Sequence, residues 1–385
     1  MRILLAPDAF KDALPAMAVA EAMEAGIRLA DPDAEVTLFP LADGGEGTFD
    51  VLQQHFQASI RAMQVQDPLF RPVTARYGLS KDGQTAFLEM AQASGLQLLA
   101  PEARNPLKTT SFGTGEMIRD ALDQGVSQLI LGIGGSATND AGMGMAAALG
   151  WQFLDKNGKP LTPIGENLSK VDKIAPPSPK YRFPAKVQVI CDVDNPLFGP
   201  SGAAHTYARQ KGADAEGIAY LDEGLRHFSQ ILEATFGKTP AAAKGAGAAG
   251  GLGAACLSFL NAELKPGIEL VMQLTGFEAV VKKSDWILTG EGKIDDQTLH
   301  GKLIQGISTL ARRHGVPVTA FCGTLAASPQ AIQALGLAGA FSILDRPCIL
   351  SEALPETRES LEMAVFNWYR SIGFGLQAIR ANRSL

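Results

Sequence analysis

Leu129-Ile130-Leu131-Gly132-Ile133-Gly134-Gly135-Ser136-Ala137-Thr138-Asn139-Asp140-Ala141-Gly142-Met143-Gly144-Met145 decides the fold, because a short apolar run breaks into a polar glycine turn and then into small-residue chain. Residues 129–133 have the length of a buried strand. Gly134 and Gly135 open backbone angles closed to other residues and let a ligand approach the main chain. Ser136, Thr138, Asn139 and Asp140 then place hydroxyls, an amide and a carboxylate in one turn, more polar groups than a helix cap uses. The alanine-rich stretch to 150 reads as a helix packed closely on a sheet. Strand, glycine turn and helix together predict backbone N–H groups aimed at an anion. A tight turn with a capping Ser or Thr is the plainer alternative.

Outward from this stretch, residues 2–66 alternate: strand 2–6, helix 16–29, strand 36–41, helix 48–56 and a further strand at 59–65. Such alternation predicts parallel strands with right-handed crossovers. After Asp67-Pro68 the pattern changes to a hairpin, 73–79 with 85–90, around Asp82-Gly83. A second hairpin at 151–161 turns at Asn157-Gly158, a proline-rich connector fills 162–184, and 187–191 is a buried strand. Near residue 284 the alternation returns, with strands at 285–288, 317–322 and 340–344 and helices at 298–314 and 355–370. The chain therefore reads as α/β. Residues 1–66 and 284–385 form a Rossmann-like doubly wound parallel-sheet domain, and 67–283 an inserted mixed α/β domain. The active-site cleft is expected between them.

Composition narrows the class. The length of 385 residues suits two domains, and a hydrophobic share of 46% suits sizeable cores. A net charge of −6 argues against a nucleic-acid or anionic-membrane partner. No apolar run reaches the roughly 18 residues of a membrane span, and Arg2-Ile3-Leu4-Leu5-Ala6-Pro7 leads directly into a strand-like segment, so no signal peptide is expected. Cys191, Cys256, Cys322 and Cys348 stand far apart without metal-site spacing. The expectation is a soluble, cytoplasmic protein with a small-molecule substrate; its oligomeric state is left open.

The chemistry-bearing stretches fall where strands end, the ligand-binding edge of open α/β sheets. Pro7-Asp8-Ala9-Phe10-Lys11 offers a carboxylate and a cation to a hydroxyl and a phosphate, or simply a helix cap beside a solvated lysine. Ala42-Asp43-Gly44-Gly45-Glu46-Gly47-Thr48 sets two acidic side chains among glycines. In Cys191-Asp192-Val193-Asp194-Asn195-Pro196-Leu197, Asp192 and Asp194 can hold Mg²⁺, one can accept a proton, or the run can be an Asx turn. Thr289-Gly290-Glu291-Gly292-Lys293-Ile294-Asp295, with Gln297-Thr298, repeats the pairing of carboxylates and a cation. Residues 244–253 are a further glycine-rich loop, either phosphate-binding or a flexible surface segment. Recurring Gly, Asp and Lys, without a nucleophilic Cys, a Ser–His pair or a zinc-type His cluster, point to phosphoryl transfer. That reaction needs positioning, charge neutralisation and Mg²⁺ more than covalent catalysis. His205 and His300 are the histidines nearest these loops.

Two other motifs fail on inspection. The dinucleotide fingerprint fits 132–137 and 245–250, but the first lacks an acidic residue ending the next parallel strand and the second lacks a preceding strand. A Walker loop at Gly237-Lys238-Thr239 has Leu232 where its first glycine belongs.

Taken in order, Ala6-Pro7-Asp8-x-Phe10-Lys11, Ala42–Thr48 and Gly134-Gly135-Ser136-Ala137-Thr138-Asn139-Asp140 resemble the bacterial glycerate kinase family, type 1. Cys191-Asp192-Val193-x-Asn195-Pro196-Leu197, Gly247-Ala248-Ala249-Gly250-Gly251 and Thr289-Gly290-Glu291-Gly292-x-x-Asp295-x-Gln297-Thr298 complete the resemblance, which spans nearly the whole chain. The family usually reads Asp-Ser-Phe-Lys-Gly-Ser where this chain has Asp8-Ala9-Phe10-Lys11-Asp12-Ala13, so two hydroxyls and a glycine are absent there. The resemblance implies phosphorylation of D-glycerate to 2-phosphoglycerate with ATP and Mg²⁺, on routes from glucarate, galactarate or glyoxylate. Asp192, Lys11 and Asp8 are then the expected catalytic residues, with Asp192 orienting the attacking hydroxyl. Asp43, Gly44, Gly45, Glu46, Ser136, Asn139 and Asp140 are expected to bind substrate. Gly134, Gly135, Thr138, Gly247, Gly250, Gly251, Gly290, Gly292, Lys293 and Thr298 are expected at nucleotide or phosphate, and Asp295 and Glu291 at the metal. An NAD-dependent dehydrogenase of a small hydroxy acid and a non-catalytic hydroxy-acid sensor on the same scaffold are the competing readings.

Overall fold

The structure of the protein, a computed structural model, describes residues 1–44, 47–177, 186–299 and 303–383. Gly45 and Glu46, expected at the substrate, lie outside the described residues, as does His300. In chain order the strands are β1 (Arg2–Leu5), β2 (Glu35–Leu38), β3 (Ser59–Gln66), β4 (Pro72–Leu79), β5 (Thr85–Glu89), β6 (Gln128–Gly132) and β7 (Gln152–Leu154). They continue with β8 (Lys173–Ala175), β9 (Lys186–Ile190), β10 (Glu263–Lys265), β11 (Trp286–Ile294), β12 (Val318–Leu325) and β13 (Gly339–Ser342). The chain divides into a terminal unit, Met1–Val51 with Gly267–Leu385, and an inserted unit, Leu52–Pro266.

The terminal unit is Rossmann-like, a parallel sheet ordered β2-β1-β11-β12-β13. By appearance along the chain this is 2-1-3-4-5, a doubly wound order whose ligand crevice lies at the switch between the first and third strands. β1 is a continuous apolar run because both of its faces are covered. Ile3 and Leu5 pack with Val19 and Met23 of helix Ala16–Ala30 and with Leu361, Val365 and Trp368 of helix Thr357–Arg383. Alternation turns the fully buried Leu4 to the opposite face. Helices Gly267–Thr275 and Leu303–Arg313 pack on each other through Ile268 and Gly306.

The inserted unit carries a mixed sheet ordered β10-β9-β6-β5-β4-β3, parallel from β10 to β5 and antiparallel at the β4-β3 edge. The 151–161 hairpin is reduced to a bridge between Leu154 and Pro160, and β7 pairs instead with β8.

Two segments fall in a different unit from the one their pattern suggested. Residues 59–66 form β3, which pairs along its whole length with β4 in the inserted unit. The Asp67 carboxylate closes that hairpin by accepting the N–H groups of Leu69 and Arg71. Period-2 patterning identifies a strand but not the sheet that receives it. Residues 267–283 belong to the terminal unit, where Gly267 lies against the Asp43 backbone.

Gly26 fixes the packing of the two helices over β1. A Cβ there would lie 2.4 Å from the Glu362 carbonyl oxygen and 3.1 Å from the Val365 Cβ. Gly26→Ala should push these helices apart and cost about 1–3 kcal/mol, read as a lower urea midpoint at unchanged m value.

Candidate active site

In the terminal unit, neighbouring strands deliver carboxylates to one edge of the sheet. Pairing continues past β1: the N–H groups of Ala6 and Asp8 donate to the carbonyls of Leu288 (2.8 Å) and Gly290 (2.9 Å), and Leu41 donates to Pro7 (3.0 Å). Asp8 therefore stands at the switch point, with Asp43 arriving after β2 and Glu291 within β11. Burial and the nearby Asp43 charge push its pKa up to about 7, the Ala9 N–H at 2.7 Å opposes them, and Glu291 adds to the rise.

β11 runs further than the sequence suggests. Gly290, Glu291, Lys293 and Ile294 pair with Phe321, Cys322, Thr324 and Leu325 of β12, so residues 289–294 are strand and not a loop after one. Thr298, buried, donates its hydroxyl to Glu291 (2.9 Å) and accepts the Asp295 N–H (3.2 Å). Lys293 pairs with Asp295 at 2.9 Å. Thr298 and Lys293, expected at nucleotide, thus tie together the two expected metal carboxylates. Among the described residues no group of three or more His, Cys, Asp or Glu is set to hold a metal ion. Lys11 is exposed, and its backbone N lies 3.5 Å from where a Cβ of Gly292 would sit. Asp12 takes φ +62° where the resembling family has glycine, a conformation that Asp tolerates better than most residues.

In the inserted unit, β6 and β9 are parallel neighbours, so the loops after them emerge at the same edge. Chain 138–142 locks against the turn 249–251, where Ala249, Gly250 and Gly251 all have positive φ. A Cβ on Gly250 would lie 2.1 Å from the Thr138 carbonyl oxygen, and the Gly250 carbonyl accepts the Ala141 N–H at 3.0 Å. Gly247 donates to the Asn195 carbonyl (2.9 Å), which brings the loop after β9 onto the same turn. Asn195 is itself held by Ser201, Thr206 and Tyr207. Asp192 is exposed in that loop.

The turn quoted at the outset does not present its helix to an outside anion. Asp140 is fully buried, and its carboxylate accepts the Ser111 N–H (2.7 Å) and hydroxyl (2.8 Å) and the N–H groups of Gly142 (3.1 Å) and Gly144 (3.0 Å). The protein's own carboxylate fills the cradle at the start of helix Met143–Ala148, so Asp140 is an internal clamp and not a substrate ligand. Burial pushes its pKa up, and the same donors oppose the rise. Gly247, Gly250, Gly251 and Gly290 are also explained from within, since protein atoms stand where their Cβ would be. Gly134 differs. It is exposed, has no neighbour within 4 Å of a built Cβ, and has no positive φ.

One residue of this cluster escaped the sequence reading. Lys211, 2% exposed, sends its ammonium to the Ser136 Oγ (2.6 Å) and the Thr138 carbonyl (2.7 Å). Burial lowers its pKa to about 7 against the opposing pull of Asp140. Arg209-Gln210-Lys211 reads as a solvated turn; only contact with Gly212, where a Cβ would meet the Arg104 carbonyl oxygen at 2.1 Å, shows that the turn is pressed inward.

Fold and site together define a two-unit α/β enzyme with carboxylate- and glycine-lined strand ends. The glycerate kinase family profile matches residues 3–373. A glycerate kinase of Halalkalibacterium halodurans is 47% identical over 95% of this chain and 96% of its own. The glycerate 2-kinase of Escherichia coli is 40% identical over 98% and 99%. A crystal structure assigned as glycerate kinase 2 from Salmonella typhimurium LT2 superposes with TM-score 0.89 at 41% identity, covering 98% of this chain and 99% of that one. The chain belongs to the glycerate kinase family. It is a phosphotransferase acting on an alcohol group, which sets aside the dehydrogenase reading. No helix of the described residues is long and apolar enough to cross a membrane.

The half-buried Asp8 and the buried Asp140 should respond differently to substitution. The folded pKa of Asp8 lies above its unfolded value of 3.8, so Asp8 costs stability as pH rises from about 4 to 7 and costs most above 7. Asp8→Asn should therefore raise the melting temperature of metal-free protein more at pH 8 than at pH 4.5 while lowering activity. Asp140→Ala leaves the Ser111, Gly142 and Gly144 donors buried without an acceptor; it should destabilise by about 3 kcal/mol or more, measured by urea denaturation.

Proposed function

We propose that the chain transfers the γ-phosphoryl group of ATP to the 2-hydroxyl of D-glycerate, giving ADP and 2-phosphoglycerate, in hydroxy-acid, glyoxylate or sugar-diacid catabolism. The observation that carries the choice of carbon is the 40% identity, over 98% of the chain, with a relative named glycerate 2-kinase. In this reading Asp192 orients the attacking hydroxyl and takes its proton as the new P–O bond forms. An exposed strand-end carboxylate suits that task, since it reaches a ligand without disturbing the core. Asp8, Lys11 and Asp43 hold glycerate; with a pKa near 7, Asp8 can donate a hydrogen bond to a substrate oxygen when protonated.

Ser136, Thr138 and the Gly134-Gly135 backbone receive the phosphoryl oxygens. Glu291 and Asp295 would hold Mg²⁺, and they fit, because that ion takes one or two carboxylates and leaves the rest of its shell to water and phosphate. Bound there, Mg²⁺ neutralises phosphate charge. Thr298 fixes one of its ligands in advance by hydrogen bonding Glu291.

A coupled ADP-release assay with D-glycerate tests the activity, and phosphorus NMR of the product tests the position. ADP release that depends on D-glycerate, with the 2-phosphoglycerate resonance, is expected; no release, or 3-phosphoglycerate, overturns the reading. Asp192→Asn should lower kcat by about 10²–10⁴-fold at an unchanged melting temperature, and near-normal turnover would remove the proton-acceptor role.

A further inference from the structure

We infer that Lys211, the Ser136 hydroxyl and the unpartnered Thr138 and Asn139 side chains form an oxyanion site for the transferring phosphoryl group. The inference rests on the kinase reading above for the identity of its ligand, but its geometry stands independently.

An ammonium has three donors and no acceptor. Two of the Lys211 donors are spent on Ser136 Oγ and the Thr138 carbonyl. Ser136 Oγ must then be the acceptor of that bond, which leaves its own proton free to donate. That hydroxyl sits beside the exposed Gly134-Gly135 turn, whose first residue the fold does not require to be glycine.

The next residues are short of partners. Thr138 Oγ1 and both polar atoms of the Asn139 amide are buried and have no hydrogen-bond partner. Buried polar side-chain atoms are nearly always paired, so three orphans on two adjacent fully buried residues mark a place that a ligand completes. The Ser136 and Thr138 hydroxyls and the Asn139 NH₂ can each donate to an anionic oxygen, while the Asn139 Oδ1, an acceptor, is left to a water or a hydroxyl of the ligand. The charge balance selects the same partner. Asp140, the acid nearest in sequence, already accepts four donors, and Lys211 contacts only neutral oxygens. A phosphoryl group, anionic throughout its transfer, gives that buried cation a direct counter-charge beside the through-space pull of Asp140. Lys211 is thus a positioning residue that aims the Ser136 donor and supplies positive potential from beneath the turn.

Lys211→Gln tests this, because it keeps a polar donor at this position while the charge is gone. Lys211→Arg keeps the charge, and Ser136→Ala removes only the aimed hydroxyl. Circular dichroism and melting curves identify folded variants. With D-glycerate and ATP, Lys211→Gln should lower kcat about 100-fold with KM for either substrate changed less than threefold. Ser136→Ala should lower kcat about tenfold, and Lys211→Arg should recover part of the loss. A rise confined to the KM of glycerate would overturn the phosphoryl assignment, and unchanged kcat would overturn the site. A turnover-independent arm uses inorganic phosphate as the probe. It should raise the melting temperature of the unsubstituted protein and not that of Lys211→Gln; equal shifts in the two overturn the inference even if D-glycerate proves not to be the substrate.

Discussion

The Asp140 carboxylate sits where no water reaches it, and the inserted unit is arranged to satisfy it. Four donors from two segments converge on its oxygens. Leaving any of them unpaired would cost on the order of 1–3 kcal/mol, so the clamp fixes the chain around Ser111 and the start of helix Met143–Ala148 together. Ser111 does double duty, since its Oγ also accepts the Met145 N–H at 2.9 Å. With the helix start anchored, residues 136–139 have little freedom. The Gly250 turn closes on Thr138 from one direction and Lys211 braces it from another. The polar turn is rigid because an internal charge organises it, and a rigid turn can hold donors ready for a ligand at no cost of reorganisation.

The terminal unit reaches its arrangement by topology. Strand order 2-1-3-4-5 makes β1 and β11 neighbours whose crossovers depart in opposite directions, and a crevice opens where the connections diverge. Asp8 at that position is flanked by Asp43 and Glu291 because β2 ends at that edge while β11 runs on past the end of β1. Burial first, and the like charges of Asp43 and Glu291 after it, push the pKa of this carboxyl up to about 7, an arrangement that does not favour stability. Thr298 and Lys293 then hold the two acidic residues of β11 and the turn after it in fixed orientation.

Much of this was legible in the sequence because it follows from pattern. Apolar runs of strand length, glycine-punctuated turns and their order gave the α/β class and the parallel terminal sheet, and the resemblance of the quoted residue motifs gave the family. Facing was not legible. Asp140 in a Gly-Ser-Ala-Thr-Asn-Asp turn reads the same whether its carboxylate points to solvent or inward, and only the Ser111 contacts, 29 residues away in sequence, settle it. β3 carries the alternation of any strand, and its partner is fixed by the Asp67 turn that follows it. Lys211 lies 75 residues from Ser136 in a basic turn whose composition looks solvated. In each case the deciding contact is long-range and leaves no mark on the local pattern.

The glycines show how such decisions can be separated from function. A glycine that the fold demands carries no information about a ligand. At Gly250 the Thr138 carbonyl oxygen lies 2.1 Å from a built Cβ, and the positive φ alone would disfavour any other residue. Its presence in the motif is explained without invoking phosphate. Gly134 has neither constraint; the isolated protein would accept a side chain there. Yet Gly134 adjoins the turn that carries the free Ser136 donor and the orphaned Thr138 and Asn139 groups. Glycine at 134 leaves the backbone of that exposed turn open to close approach, which suits the anion site inferred beside it. The glycine-rich stretch that first looked like a helix-dipole cradle is therefore better understood as two layers. Asp140 consumes the backbone donors of the inner one, and in the outer one the Thr138 and Asn139 side-chain atoms keep no partner within the protein.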